Sequence, residues 1–121
     1  LSCIAVNYSL QTEKIPVTQL LVITDDIALP FGTLRMKGKG SDGGHNGLKD
    51  IQALLNTQEY ARLRFGVGAD FGKGKQADYV LGTWKPDEDK ALPERIDTAS
   101  KAVKSFVFDG LAMAMTHWNN K

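Results

Sequence analysis

Residues 20–51 read LLVITDDIALPFGTLRMKGKGSDGGHNGLKDI, and the changes of pattern along this stretch set the fold class. Leu20 to Thr24 is an unbroken apolar run, too short for a helix of its own and rich in branched side chains, which predicts a strand buried on both faces. It stops at Asp25-Asp26. From Thr33 to Lys37 the pattern alternates: Leu34 and Met36 face one way, Thr33, Arg35 and Lys37 the other, as in a strand with one side on a core. Gly38 to Gly44 then carries four glycines and leads through His45-Asn46 into Leu48, Ile51, Leu54 and Leu55 at helical spacing. Strands interleaved with helices predict an α/β fold.

Working outward, Leu1, Ile4, Ala5 and Tyr8 are spaced as on a short amphipathic helix that must end before Pro16. Downstream, Arg62 to Val67 alternates again, with Leu63, Phe65 and Val67 toward a core and Arg62 and Arg64 on a basic face. Tyr79 to Leu81 reads as a short strand, and Pro86-Asp87-Glu88 opens an acidic, helix-favouring stretch. Ile96, Ala99, Val103 and Phe106 form a stripe on a helix that Pro93 can begin at its first turn. Leu111, Met115 and Trp118 predict a last helix after Gly110, with Met113 and Met115 as core filler, Trp118 in the core and His117 structural. Trp84 is expected to anchor a loop. Without repeats, low-complexity tracts or a linker, residues 1–121 are expected to form a single domain.

The chain has 121 residues, 42% hydrophobic and 24% charged, which is globular composition with enough length to bury a core. No apolar run approaches the roughly eighteen residues of a membrane span. Cys3 is the single cysteine and cannot form an intrachain disulfide; with no signal-peptide pattern at the start, a cytoplasmic setting is expected. No His/Cys cluster suggests a metal. The formal net charge of +1 hides an asymmetry: 33–49 carries Arg35, Lys37, Lys39 and Lys49 against Asp42, and 61–75 carries Arg62, Arg64, Lys73 and Lys75 against Asp70. Each segment is +3, leaving −5 for the rest, as expected of a molecule with a docking face for a polyanion.

Two constellations could carry chemistry. Asp25 and Asp26 follow an apolar strand at the edge where α/β sheets place their ligands, and a carboxylate there can orient an imidazole, act as a base or hold magnesium. The structural alternative is an acid capping the next turn. In GGHNG, residues 43–47, glycines allow close backbone approach, and a helix N-terminus offers free N–H groups to phosphate or to a developing oxyanion. Asn46 would bind a polar substrate group; alternatively it is the helix N-cap and His45 a turn residue.

Together with YARLRFGVG, residues 60–68, and DYVLG, residues 78–82, the stretch 20–51 closely resembles the bacterial peptidyl-tRNA hydrolase family. DD-x-x-LP-x-G, GGHNGL and RLR-x-G-x-G are the motifs that carry the resemblance, which covers essentially the whole chain. It implies a mixed, largely parallel sheet between helices, a cytoplasmic monomer that needs no metal or cofactor, and hydrolysis of the ester joining a peptide to the terminal ribose of tRNA. Asp25 matches the family acid that keeps a catalytic histidine oriented. Asn46 matches an asparagine on the tRNA side of the substrate, His45 lies beside it in the same motif, and Arg35, Lys37 and Arg64 fall where the family carries tRNA-contacting basic residues. Gly38 to Gly44 resembles the mobile loop bordering the family's cleft.

The family's opening strand, its catalytic histidine and two site asparagines precede the point matched by Leu1-Ser2, so the resemblance implies the C-terminal two thirds or so of such an enzyme, with the base outside this sequence. Cys3 replaces a usual glycine and Thr116 an asparagine. One rival reading is a non-catalytic tRNA-binding homologue that keeps the basic face without the base. Another is a receiver-like phosphotransfer domain using the Asp25-Asp26 pair, which would leave GGHNG without a role.

Overall fold

A computed structural model of the protein describes residues 2–69 and 83–121; the expected strand at Tyr79 to Leu81 and the basic residues Lys73 and Lys75 lie outside the described residues. Strands β1 (Leu21–Asp26), β2 (Leu34–Lys37) and β3 (Ala61–Gly66) form a mixed sheet in the order β1-β3-β2. The helices are α1 (Ser2–Thr12), a 3-10 turn (Val17–Gln19), α2 (Asn46–Leu55), α3 (Pro86–Asp109) and α4 (Leu111–Trp118). The α/β class is therefore the one expected. Two compact units divide the chain, Leu1–Val22 with Lys37–Arg62 and Ile23–Met36 with Leu63–Lys121.

In the first unit α1 packs on α2. Leu48, Ile51 and Tyr60 form a cluster joined by Val17, Leu20, Val22 and Leu55. On α2 the inward stripe runs 48, 51, 52, 55, so Gln52 is buried and Leu54, expected inside, is exposed. Spacing of three and four places Leu54 on the flank of that stripe. On α1 Tyr8 is 69% exposed and Leu10 is buried, a correction to the expected stripe: residues two apart lie on nearly opposite faces of a helix. Asn56 closes α2 in the left-handed region, at φ 54°.

β1 includes Asp25 and Asp26 as its last two residues, and Ile23 is 58% exposed. A strand buried on both faces was expected; among the described residues β1 is instead an edge strand of the sheet. β2 alternates as expected, with Leu34 and Met36 fully buried. Its backbone is met by the C-terminal residues: Asn119 Oδ1 accepts from the Met36 N–H (2.6 Å), Asn119 Nδ2 donates to the Met36 carbonyl (3.2 Å), and the Asn120 N–H donates to the Leu34 carbonyl (2.8 Å). A side-chain amide thus stands in for a neighbouring peptide on an edge strand.

In the second unit α3 is one helix of 24 residues that begins at Pro86 rather than Pro93, which lies inside it. Pro86 takes the first helical position, where its missing N–H costs nothing, and Asp87, Glu88 and Asp89 favour the positive end of the helix dipole. The Lys85 N–H donates to Glu88 Oε1 (3.0 Å). Ala102 and Ser105 are buried on α3, Ala99, Val103 and Phe106 partly so, while Ile96, expected in the stripe, is exposed. Gly110, at φ 87°, ends α3 and opens α4; the two helices pack on each other, and Ala102 and Ala114 are fully buried. Met113 is exposed, not core filler, whereas Met115 and Trp118 are half-buried.

Candidate functional site

The strand-end acids divide their work. Successive strand residues point to opposite faces, so Asp25 and Asp26 cannot serve one point together. Asp26 is committed: Oδ1 accepts from the Ala28 N–H (2.8 Å) and Oδ2 from Arg64 Nη1 (2.9 Å), with the two side chains 13% and 21% exposed. The turn-capping role weighed for the pair therefore belongs to Asp26. Asp25, half-buried, is the carboxylate on the other face.

Backbone approach around β3 holds this turn in place. The Gly66 N–H donates to the Thr33 carbonyl and the Gly32 N–H to the Gly66 carbonyl, both at 2.8 Å; the Val67 and Gly68 N–H groups reach the Asp26 and Leu29 carbonyls at 3.0 and 2.9 Å. A Cβ at Gly66 would lie 2.1 Å from the Pro30 carbonyl oxygen. Glycine is required there because two backbones nearly touch. Arg95 donates to the Gly32 carbonyl (3.1 Å) and to the Lys121 carbonyl, tying α3 to the same turn. Phe31 packs edge-on against Phe65 and Trp84, at ring separations of 6.2 and 5.5 Å, which makes Trp84 the loop anchor expected.

The expected basic face is only partly solvated. Lys37 is exposed at the end of β2. Arg35 is half-buried and donates to Asn120 Oδ1 (2.9 Å), and Arg64 is held by Asp26. Arg62, expected on that face, is 1% exposed. Its guanidinium lies 4.1 Å from the centre of the Tyr60 ring and donates to the carbonyls of Ser41 (3.1 Å), Gln58 (2.7 Å) and Tyr60 (3.4 Å). Alternation in β3 fails at this residue because carbonyl oxygens and a ring face replace its water.

At the glycine-led turn, the capping role goes to His45 rather than Asn46. His45 Nδ1 accepts from the Leu48 N–H (3.3 Å). Asn46 is the first residue of α2 and is exposed. Gly47 makes room for the imidazole, since a Cβ there would meet His45 Cε1 at 3.0 Å. Before it, Asp42 Oδ1 accepts from the Gly44 N–H (2.8 Å), and the His45 N–H donates to the Asp42 carbonyl (3.0 Å). Histidine is outside the residue types favoured as N-caps, so only Gly47 two residues on hinted at this geometry.

Asp25, Arg35 and Arg64 belong to the second unit and Lys37, His45 and Asn46 to the first. His117, on α4, has Nδ1 3.0 Å from the Met113 carbonyl. Among the described residues no group of three or more His, Cys, Asp or Glu could hold a metal ion, and no helix is long and apolar enough to cross a membrane.

These elements define an α/β protein with polar groups at the end of a strand and at a glycine-led helix N-terminus. Residues 1–121 match the family described as peptidyl-tRNA hydrolase. The peptidyl-tRNA hydrolase of Parabacteroides distasonis is 59% identical over 117 residues, covering 97% of this chain and 63% of that protein; the enzyme of Phocaeicola vulgatus is 54% identical with the same coverage. The crystal structure of peptidyl-tRNA hydrolase from Acinetobacter baumannii superposes with a TM-score of 0.84 at 31% identity, over 94% of this chain and 58% of that one. This chain belongs to the peptidyl-tRNA hydrolase family. It spans 63% of the length of the two sequence relatives, and the family match takes in residues 1–121.

Proposed function

We propose that this protein hydrolyses the ester between a peptide, or another N-blocked aminoacyl group, and tRNA, as a cytoplasmic monomer without metal or cofactor. The family match across residues 1–121 carries this reading. In the reaction a base takes a proton from water, the water oxygen attacks the ester carbonyl, and the tetrahedral oxyanion collapses to release the ribose hydroxyl of tRNA. Asp25 is the acid that orients the base imidazole. Its half-buried place at the strand end, on the face away from the committed Asp26, supports that role.

Asn46 and His45 bind the tRNA side of the substrate at the N-terminus of α2, where free N–H groups favour a phosphate or an oxyanion. Lys37, Arg35 and Arg64 contact the tRNA backbone; the exposure of Lys37 supports it most directly. The test is cleavage of an N-blocked aminoacyl-tRNA by this chain beside its Asp25→Asn variant. Turnover is expected to fall by about two to four orders of magnitude in the variant, by analogy with triad acids. Equal turnover in both would remove Asp25 from the mechanism. Salt-dependent tRNA binding with an intact ester in both would make this chain the binding part of such an enzyme or a non-catalytic binding homologue.

A further inference from the structure

The glycine-rich segment before α2 has few side chains with which to hold itself. Gly40, Gly43 and Gly44 take φ values of 141°, 61° and 85°, and a Cβ at any of them would meet nothing within 4 Å. At these three positions only the backbone can be gripped. Two buried polar side chains do so from different elements. Arg62, from β3, donates to the Ser41 carbonyl (3.1 Å) and to the Gln58 carbonyl (2.7 Å), and the latter also accepts from the Gly40 N–H (3.3 Å). Gln52, from α2, reaches the Gly40 carbonyl (3.5 Å) and the Tyr60 hydroxyl (3.3 Å), while the Tyr60 ring supports the guanidinium.

We propose that Arg62 and Gln52 are positioning residues: they latch the segment 40–41 against α2 and β3 and so set where His45 and Asn46 stand. The connection is short. Ser41 precedes Asp42, whose side chain and carbonyl hold the Gly44 and His45 N–H groups at 2.8 and 3.0 Å. A core that needed only stability would be served as well by an apolar side chain, because burying a guanidinium costs desolvation that packing does not. What arginine adds is a planar set of donors that reaches Ser41 on one side and Gln58 on the other. An ammonium group lacks that planar fork.

For its effect on substrate, though not for the latch itself, this inference rests on the proposed function. The experiment compares the parent chain with Arg62→Lys, which keeps the cation, and Gln52→Met, which keeps the volume and spares Arg62 if the first variant folds poorly. Amide hydrogen exchange at Gly40, Gly44 and His45 is measured against the interior amides of α2. Exchange at the three loop amides is expected to rise about tenfold or more, the order of effect of a lost charge-assisted hydrogen bond, with the helix amides unchanged. Unchanged loop amides, or loop and helix rising together, would overturn the latch, the second result marking a merely structural residue. With N-blocked aminoacyl-tRNA as substrate, KM is expected to rise several-fold with kcat nearly constant, the mark of lost ground-state binding. A looser loop with unchanged KM would overturn the link to substrate. No cleavage by the parent chain would count against the proposed function alone, and the exchange result would still decide the latch.

Discussion

Gly66→Ala tests the claim that a near-contact between backbones fixes the turn after Asp26. The new Cβ would lie 2.1 Å from the Pro30 carbonyl oxygen, 2.8 Å from Leu29 Cβ and 2.9 Å from the Leu29 carbonyl oxygen. Carbon and oxygen approach to about 3.3 Å at closest in favourable contacts, so roughly 1 Å of backbone movement is needed. A carbonyl cannot rotate away as a long side chain can. Overpacking of this kind costs about 1–3 kcal/mol. The movement also pulls on the hydrogen bonds from Gly32 to Gly66 and from Gly68 to Leu29, each worth about 1 kcal/mol. If each of the two bonds loses about half its worth, the total of about 2–4 kcal/mol corresponds, at roughly 4 °C per kcal/mol for a domain of this size, to a fall in Tm of about 8–16 °C. Calorimetric melting of Gly66→Ala beside Gly43→Ala is the assay. Gly43, at φ 61° with open space around it, should lose only about 1–2 kcal/mol from left-handed strain. A Gly66→Ala protein that melts with wild type, or above Gly43→Ala, would refute the reasoning.

Asp26→Asn should release Arg64; because both side chains keep some solvent contact, the stability loss is put at about 1–2 kcal/mol, between exposed and buried pairs. If the released guanidinium then meets a tRNA phosphate, the slope of log K against log salt steepens by up to about 0.9, read from titrations at several salt concentrations. Glu94 is held down from 4.5 to about 2, first by its hydrogen bonds from Arg95. A carboxyl lowered in the folded state contributes stability that is present above its unfolded pKa and fades as pH falls through about 2, and an NMR titration of Glu94 should return toward 4.5 in Arg95→Gln. Asn119→Ala strips both backbone partners from Met36 and should cost about 1–3 kcal/mol by melting, with faster amide exchange at Met36 as its local sign.

The α/β class, the half-buried alternation of Leu34 and Met36 and the helix after GGHNG were legible in the sequence because each rests on local periodicity or turn chemistry. So was the family, since its motifs are runs of particular residues rather than a shape. The division of Asp25 from Asp26 was not legible: two adjacent carboxylates look alike until strand pleat sends one to Arg64, 38 positions away. Arg62 misled the reading because alternation assigns any charge in a strand to solvent, whereas the Ser41, Gln58 and Tyr60 carbonyls and the Tyr60 ring give this one a buried place. His45 capped α2 against the usual preferences because Gly47 left space for its ring. Along the chain, residue type determined the elements; which polar groups are held by partners and which face solvent depended on contacts between distant segments, and those exist only in the folded molecule.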